Sequence, residues 1–271
     1  MFHPVAEPRV AVVGAGVTGL ACAAALRGTA HVTVVDRVPV TGGVHGWEAP
    51  ETAELTRAAG GTLLLGTTAT RWDGAHLLAI GQDGAHRLAA DALVVATGTR
   101  PLGRAELGIA GGRPAGIVAA TVACHLAENG LLVGRRPLVV GGGDWAHRAA
   151  RELLDAGAEC VTMACPDGLL GAHAAREADS GRARTLIRAR PAAVLGSPRV
   201  EGVLLENGEH VTCDALVLAH GVVPLRNVDG AVWAGERTVY AQPLADPATL
   251  EGARRAGREA ADAVRSLLEK A

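Results

Sequence analysis

Glycine recurs in this sequence at the spacing of a nucleotide-binding turn. Gly14-x-Gly16-x-x-Gly19 follows the apolar run 9–13 and precedes an alanine-rich stretch. In such a turn the first glycine permits a tight bend, the second lets a pyrophosphate approach the backbone, and the third lets a helix pack on a strand. The helix N-terminus adds free N–H groups and a partial positive charge. The motif therefore predicts a phosphate-binding loop between a strand and a helix.

A carboxylate follows at the distance that this chemistry requires. Asp36 ends the apolar run 31–36, about 20 residues after the glycine turn, where an acid accepts hydrogen bonds from ribose hydroxyls. Strand, turn, helix, strand and acid together form a βαβ unit. The pattern predicts a site for a dinucleotide or another adenine nucleotide; the alternative is a glycine-rich turn in a different α/β protein.

A second glycine motif repeats this arrangement. Gly141-x-Gly143-x-x-Ala146 follows the apolar run 137–140, and alanine is allowed in the third position. The next apolar run, 159–164, ends without an acid, and no arginine cluster follows it to bind a 2′-phosphate. The second copy therefore predicts either a nicotinamide-nucleotide site or a vestigial site.

The elements that must position these motifs also occur twice. Each copy contains a strand with its glycine turn, a helix, a second strand, a hairpin, and a strand that ends before Gly98 or Gly221. Asp-Gly at 73–74 and 83–84 and Asn-Gly at 207–208 are hairpin signals. A helix is predicted for 51–59, and another after Pro247. The order indicates an internal duplication of a nucleotide-binding unit in an α/β fold.

Composition excludes several classes of protein. The 271 residues are 49% apolar but only 2% aromatic, and the net charge is −2, which disfavours base stacking and a phosphate-backbone partner, so no nucleic acid is expected. No apolar run reaches the ~20 residues of a membrane span, and the N-terminus lacks a signal-peptide pattern. The five cysteines form no CxxC and the ten histidines show no metal-ligand spacing. We expect a cytoplasmic protein with reduced thiols, no membrane association and no metal site.

Taken together, the motifs resemble those of flavoproteins with two dinucleotide-binding domains, which include thioredoxin reductase-like enzymes. The resemblance covers nearly the whole chain and implies an α/β fold of two Rossmann-like three-layer domains, the second inserted into the first. It implies an FAD-binding domain of residues 1–112 and 222–271, and an NAD(P)-like or second nucleotide-binding domain of residues 113–221. The stretch 118–134 looks more like the FAD-binding subunits of heteromeric dehydrogenases and oxidases, such as hydrogen cyanide synthase and the opine, hydroxyproline and dye-linked proline dehydrogenases.

The resemblance also implies which residues bind the cofactors. The glycines of the first turn would hold the FAD pyrophosphate, Asp36 the ribose, Gly42 and Gly43 the flavin side, and Thr97-Gly98 would close over the cofactor. The second turn would hold NAD(P) or a structural adenine nucleotide. The full set of candidate cofactor-binding residues is Gly14, Ala15, Gly16, Thr18, Gly19, Asp36, Arg37, Gly42, Gly43, Thr97, Gly98, Gly141, Gly143, Asp144, Ala146 and Glu236.

Two departures from the family fall on the flavin half of the first site. The family has a Gly-Asp that binds the ribityl chain, whereas this chain continues from 239–241 into Gln242-Pro243-Leu244; Glu236 or Asp246 would have to substitute. The segment between Gly43 and residue 51 is also shorter than usual. Two hypotheses follow: the chain binds FAD with the ring facing a partner subunit, or it binds only an adenine nucleotide as a structural element.

Function follows from the same resemblance. We expect an FAD-dependent oxidoreductase, or the FAD/NAD(P)-binding subunit of one, that moves hydride or electrons between a nicotinamide or amine-type small-molecule substrate and a partner protein. The alternative is a non-catalytic nucleotide-binding structural subunit of such a complex. Because no CxxC precedes Gly141, thioredoxin reductase activity itself is excluded. No catalytic side chain is predicted; His220, at the end of a strand, is a cofactor contact, a proton donor or an ordinary loop histidine.

Overall fold

The structure is a computed structural model that describes residues 7–168, 181–226, 230–233, 235, 237–245 and 249–270. The chain divides into two compact units. The first unit consists of Met1–Thr99 and Pro224–Ala271, and the second of Arg100–Val223. The second unit is therefore inserted into the first in sequence. Each unit contains a five-stranded sheet in which the strands run parallel, which confirms the predicted α/β class.

In chain order the elements are β1 (Arg9–Val13), α1 (Val17–Leu26), β2 (His31–Asp36), a 3₁₀ turn (Gly43–His45), α2 (Pro50–Ala59), β3 (Thr62–Leu65), β4 (Thr68–Trp72), β5 (His76–Gly81), β6 (Gly84–Ala89), β7 (Ala92–Val95), β8 (Thr99–Pro101), β9 (Ala110–Gly111), β10 (Ile117–Ala119), α3 (Ala120–Glu128), β11 (Pro137–Val140), α4 (Asp144–Asp155), β12 (Val161–Cys165), β13 (Ala183–Ile187), β14 (Pro191–Leu195), β15 (Gly202–Leu205), β16 (His210–Thr212), β17 (Ala215–Leu218), β18 (Val222–Pro224), β19 (Val232–Trp233), β20 (Thr238–Tyr240) and α5 (Leu250–Leu268).

The first unit has three layers around its parallel sheet, whose strand order is β20-β7-β1-β2-β3. Side chains of β1 alternate between the two faces. Val10 and Val12 pack in a core with helices α1 and α5, whereas Ala11 and Val13 pack with Trp72 of the second sheet, β19-β4-β5-β6. Because both faces are covered, the strands are apolar throughout, as parallel strands usually are.

Helix α1 is buried along nearly its whole length, because α5 packs closely against it. A Cβ built on Gly257 of α5 would lie 2.4 Å from the Thr18 carbonyl oxygen of α1, so the two helices touch through backbone at this point. Helix α5 begins at the cap Thr249, whose hydroxyl accepts from Gly252 N at 3.1 Å. The last helix of the chain thus belongs to the core that supports the first glycine turn.

The second unit repeats this plan, with the sheet order β10-β17-β11-β12-β13 and a second sheet, β16-β15-β14-β9. The hydrogen bonds of the two units also correspond. Gly14 N donates to Val35 O at 2.8 Å, and Gly141 N donates to Ala164 O at 2.8 Å. The residue after this acceptor is Asp36 in the first unit and Cys165 in the second. These two residues therefore occupy equivalent positions at the ends of β2 and β12.

The opposite ends of the sheets also match. Asp91, just before β7, accepts from Arg9 N at 2.8 Å. Asp214, just before β17, accepts from the backbone N–H groups of Arg135 and Arg136, each at 2.8 Å. In each unit, one carboxylate thus links the starts of two neighbouring parallel strands through hydrogen bonds. The repeated architecture that the sequence predicts is present down to individual hydrogen bonds.

Some element boundaries differ from the sequence-based expectations. Helix α4 begins at Asp144, directly after the glycine turn, because Gly143 is its N-cap; the sequence pattern alone did not set this boundary. Strands β13 and β14 were not predicted at all. Within the described part of the chain, no helix is both long enough and apolar enough to cross a membrane.

Candidate functional site

The first glycine turn is closed by backbone atoms on two sides. Gly14 has φ +112°, and a Cβ there would lie 2.2 Å from the Ala96 carbonyl oxygen. A Cβ on Gly19 would lie 1.9 Å from the Gly14 carbonyl oxygen. Any side chain at either position would collide with backbone that cannot rotate away. These two glycines therefore hold α1 against β1 and β7, as the motif predicts.

Gly16, in contrast, faces open space. The nearest atom to a Cβ built there is the Gly43 Cα, at 3.9 Å. The loop that carries Gly42 and Gly43 folds back onto the turn, with Gly42 N donating to Ala15 O at 2.8 Å. The structure thus brings together the first glycine motif and the Gly42-Gly43 pair, which lie far apart in sequence, and leaves an open cradle beside Gly16.

The Asp36 carboxylate fixes the shape of this turn. Its Oδ2 accepts from Ala15 N at 2.6 Å, and its Oδ1 accepts from Val38 N at 2.8 Å. An ionised carboxylate has about four acceptor sites, so capacity for ribose hydroxyls remains. The neighbouring Arg37 is exposed. Asp36 therefore holds the turn in place and offers further lone pairs at the end of β2.

The N-terminus of α1 supplies the positive end of a helix dipole. Its N-cap is Gly16, and its first turn contains no acid. Thr18 in that turn is buried. Unpaired backbone N–H groups at such an end bind anions, so the geometry is suited to a pyrophosphate.

Thr97 and Gly98 lie at the carboxyl end of β7, on the same edge of the sheet. The Thr97 hydroxyl donates to the Leu225 carbonyl oxygen, and Leu225 N donates to Gly98 O at 3.0 Å. Thr97 therefore uses its hydroxyl to anchor the returning chain. Glu236 and Asp246, the candidate replacements for the family's ribityl-binding acid, lie outside the described residues.

Two buried polar atoms at this edge fit a bound FAD. Gln242 follows β20, and its Nε2 is buried without a hydrogen-bond partner in the described residues. Thr52 is fully buried with its Oγ1 also unpaired there, and its methyl would lie 2.9 Å from a Cβ on Gly42. Unpaired buried donors are rare and costly. An open cradle at Gly16 together with an unpaired amide at Gln242 is the arrangement expected of residues that bind a polar cofactor.

The second glycine turn has the same backbone but different chemistry. Gly141 has φ +142°, and its Cβ would lie 2.8 Å from the Ala219 carbonyl oxygen, whereas Gly143 has no atom within 4 Å of a built Cβ. Ala146 is buried, and Asp144 places an acid in the first turn of α4. At the position of Asp36, the Cys165 thiol donates to Gly141 O at 3.3 Å. Burial raises the pKa of Cys165, so this position is neutral.

Charged side chains surround the end of β12 in this second unit. Asp167 lies 3.4 Å from Arg190 Nη2 and 3.4 Å from His220 Nε2. Arg188, at the end of β13, follows the residue that pairs with Cys165. The sequence analysis found no arginine cluster for this site because it considered only the residues that directly follow β12. Arg188 and Arg190 instead follow β13, the next strand of the sheet.

The cysteines form no redox pair. All five are free thiols within the described residues. Burial raises the pKa of Cys22 to about 12, of Cys124 to about 11 and of Cys213 to about 12. Since the thiolate is the nucleophile in disulfide exchange, these thiols are unreactive at neutral pH.

An exposed apolar segment lies beside the Gly42-Gly43 loop. It consists of Val38, Val40, Val44 and Trp47, and we call it the apolar rim. All four side chains are exposed, and Trp47 is the most exposed of them at 58%. Four exposed apolar side chains within ten residues, next to a candidate binding site, suit an interaction surface.

The two glycine turns, each between a parallel strand and a helix, place the chain in the α/β class of dinucleotide-binding proteins. Comparison with protein-family models agrees: the chain matches the model described as "Pyridine nucleotide-disulphide oxidoreductase" over residues 2–104 and 48–232. These matches cover most of the chain, so the protein belongs to this family.

Solved structures share the fold at low sequence identity. Thioredoxin reductase from Lactococcus lactis is 19% identical with a TM-score of 0.68, and the match covers 98% of this chain and 100% of that one. A NAD-dependent persulfide reductase from A. fulgidus is 19% identical (TM-score 0.66; 94% of this chain, 58% of that one). L-proline dehydrogenase from P. horikoshii is 17% identical (TM-score 0.57; 99% and 58%). This chain thus spans just over half of the latter two proteins. A search of curated protein sequences found no match.

Proposed function

We propose that this chain is the FAD-binding subunit of a heteromeric cytoplasmic dehydrogenase or oxidase. It would move hydride or electrons between a nicotinamide or amine-type substrate and a partner subunit. The observation that carries the proposal is the open cradle at Gly16 with the exposed apolar rim next to it. FAD, when bound, supplies the hydride chemistry, while the protein supplies binding and electrostatics.

The first unit provides distinct contacts for each part of the cofactor. The N–H groups at the start of α1 would bind the pyrophosphate, because Gly16 leaves the helix end accessible. Asp36 would accept from the adenosine ribose hydroxyls. The unpaired Nε2 of Gln242 would donate to the ribityl chain, in place of the acid that the family uses there. Gln242 is neutral, so it can donate a hydrogen bond where a carboxylate can only accept.

Two further observations support a partner subunit. The apolar rim lies directly beside the Gly42-Gly43 loop, where the family's covering segment is shortened, so the flavin side would be left for another protein to cover. The sequence contains no CxxC, and burial raises the pKa of Cys22, Cys124 and Cys213, so we do not assign the redox pathway to a disulfide of this chain. Electrons would therefore pass to a group outside the chain. The structural likeness to a proline dehydrogenase agrees with an amine-type substrate.

The absorption spectrum of the purified chain tests the proposal. We expect oxidised-flavin bands that bleach when a reduced nicotinamide or an amine substrate is added without oxygen. A Trp47→Glu variant should keep the bands but lose the partner subunit during co-purification from its source cells. A chain that takes up no FAD on reconstitution, or that retains the partner after this substitution, would contradict the proposal.

Replacing Gln242 with leucine is expected to weaken FAD binding about fivefold, the effect of losing one neutral hydrogen bond. The same change should leave the melting temperature of the cofactor-free protein unchanged or raise it, because a buried unpaired amide is removed. Flavin fluorescence titration and thermal unfolding measure the two effects separately.

Thr238→Val is the matched control for this substitution. Thr238 lies on the same strand, β20, and its hydroxyl is likewise buried and unpaired among the described residues. Its replacement should raise or preserve stability while FAD affinity stays the same. If Gln242→Leu and Thr238→Val have equal effects on FAD affinity, Gln242 does not contact the cofactor.

A further inference from the structure

An arginine in the second unit occupies a position that is glycine in the first. Cys165 pairs with Ile187 as Asp36 pairs with Leu65. The next residues are therefore equivalent: Gly66 has φ +64°, and Arg188 has φ +55°. Ala189 N donates to Cys165 O at 3.2 Å, as Thr67 N donates to Asp36 O at 2.8 Å. The two strand ends have the same backbone geometry, and only the residue in the left-handed conformation differs.

This conformation is unfavourable for an arginine. Arg188 is the one residue other than glycine, among those that the structure describes, with a positive φ. Non-glycine residues held in this region concentrate at functional sites. The stem of Arg188 lies against Gly168, since a Cβ built on Gly168 would be 3.2 Å from the Arg188 Cγ. The Arg188 side chain thus runs toward the end of β12.

The described acid near this strand end is already paired with other groups. Asp167, the nearby acid, is already paired with both Arg190 and His220 at 3.4 Å. Within the described residues, the Arg188 guanidinium has no ion-pair or hydrogen-bond partner. The residue at the ribose-binding position, Cys165, is neutral, whereas its counterpart Asp36 carries the charge that accepts ribose hydroxyls. The second strand end is therefore suited to an anion at the place where the first is suited to a hydroxyl.

We infer that the second unit binds the 2′-phosphorylated form of the nicotinamide dinucleotide, with Arg188 and Arg190 contacting the 2′-phosphate. The inference deepens the proposed function, because it rests on the second unit being the nicotinamide-nucleotide site. An acid at the end of this strand selects the free 2′-hydroxyl, and an arginine nearby accommodates the 2′-phosphate. Arginine also matches phosphate geometry with two parallel hydrogen bonds.

Calorimetric titration of the purified chain with three fragments, after incubation with FAD, tests this inference. The fragments are 2′,5′-ADP, 3′,5′-ADP and 5′-AMP, which differ only in the presence and position of the second phosphate. We expect 2′,5′-ADP to bind at least about tenfold more tightly than the other two, the effect of one charge-assisted contact. NADPH should exceed NADH by a similar factor.

The Arg188→Gly variant separates recognition from stability. Glycine adopts the left-handed conformation without the steric strain of an arginine, so the melting temperature should stay the same or rise by about 2 °C. The preference for 2′,5′-ADP should fall to less than about threefold, because one of two guanidinium groups is lost. Arg184→Ala is the matched control: Arg184 is exposed on the same strand and pairs with Glu209 at 3.4 Å, so its loss should leave the preference unchanged.

Several results would overturn the inference: equal binding of the three fragments, tighter binding of 5′-AMP or 3′,5′-ADP, no binding of any fragment, or an unchanged preference in Arg188→Gly. Its failure is distinguishable from failure of the proposed function. A chain that binds FAD but prefers NADH contradicts only this inference. A chain that prefers 2′,5′-ADP but takes up no FAD supports it and contradicts the proposed function.

Discussion

Replacing Gly19 with alanine is expected to destabilise the protein by about 3 kcal/mol, in the range of a steric overload in a packed core. The new Cβ would lie 1.9 Å from the Gly14 carbonyl oxygen and 3.0 Å from its carbon, so α1 would have to move away from β1. Alanine is favoured over glycine in a helix by about 1 kcal/mol, and the clash outweighs that gain. For a chain of this size the melting temperature should fall by about 10 °C.

The matched control is the same substitution three residues earlier. Gly16→Ala places a Cβ 3.9 Å from its nearest neighbour, at a backbone conformation that any residue adopts. The cofactor-free Gly16→Ala protein should therefore melt with the wild type, within about 2 °C, but bind FAD more weakly, because the methyl group enters the cradle. If Gly19→Ala melts at the wild-type temperature in circular dichroism, the protein tolerates a Cβ at position 19, and close helix–strand packing there does not determine its stability.

Features encoded by local pattern were predictable from the sequence. The glycine turns, the buried strands that lead into them and Asp36 are adjacent in sequence, and each has a distinctive residue type. The duplication was visible because the same order of elements recurs. The structure confirms the α/β class, and it assembles the first glycine motif with Gly42 and Gly43.

Features that depend on neighbouring strands were not predictable. Strand β13 was missed because it lies at the edge of its sheet and is half exposed, so it has no continuous apolar run. Arg188 adopts a conformation that glycine normally signals, and nothing in its sequence context marks it. Gln242 was recognised only as a departure from the family, since its unpaired amide is apparent only when the surrounding backbone is known.

The two units thus show how one backbone is given different ligand chemistry by a few residues. Asp36 and Gly66 at one strand end correspond to Cys165 and Arg188 at the other. In the first unit a charged acceptor lies beside an uncharged turn; in the second, a neutral thiol lies beside a cation. The backbone hydrogen bonds that position them are the same. Ligand preference can therefore change while the fold stays constant, because the positions concerned lie at strand ends.

Asp36→Ala is expected to weaken FAD binding about 100-fold. The substitution removes the acceptor for Ala15 N at 2.6 Å and for Val38 N at 2.8 Å, so the glycine turn loses the group that orients it. It also removes the acceptor proposed for the ribose hydroxyls. Hydrogen bonds to a charged group contribute about 1.5–3 kcal/mol each, and each 1.4 kcal/mol is tenfold in affinity. Titration of cofactor-free protein with FAD, followed by flavin fluorescence, measures the change.

Asp91→Ala distinguishes a ligand effect from a general loss of stability. Asp91 also accepts from a backbone N–H, that of Arg9 at 2.8 Å, but at the opposite end of the same sheet. Its removal should destabilise the first unit by about 1 kcal/mol while FAD affinity stays within about twofold of the wild type, because distant sites act independently. Equal loss of FAD affinity in both variants would mean that sheet stability, and not the Asp36 carboxylate, controls binding. A selective loss in Asp36→Ala would assign the adenosine half of the cofactor to the end of β2.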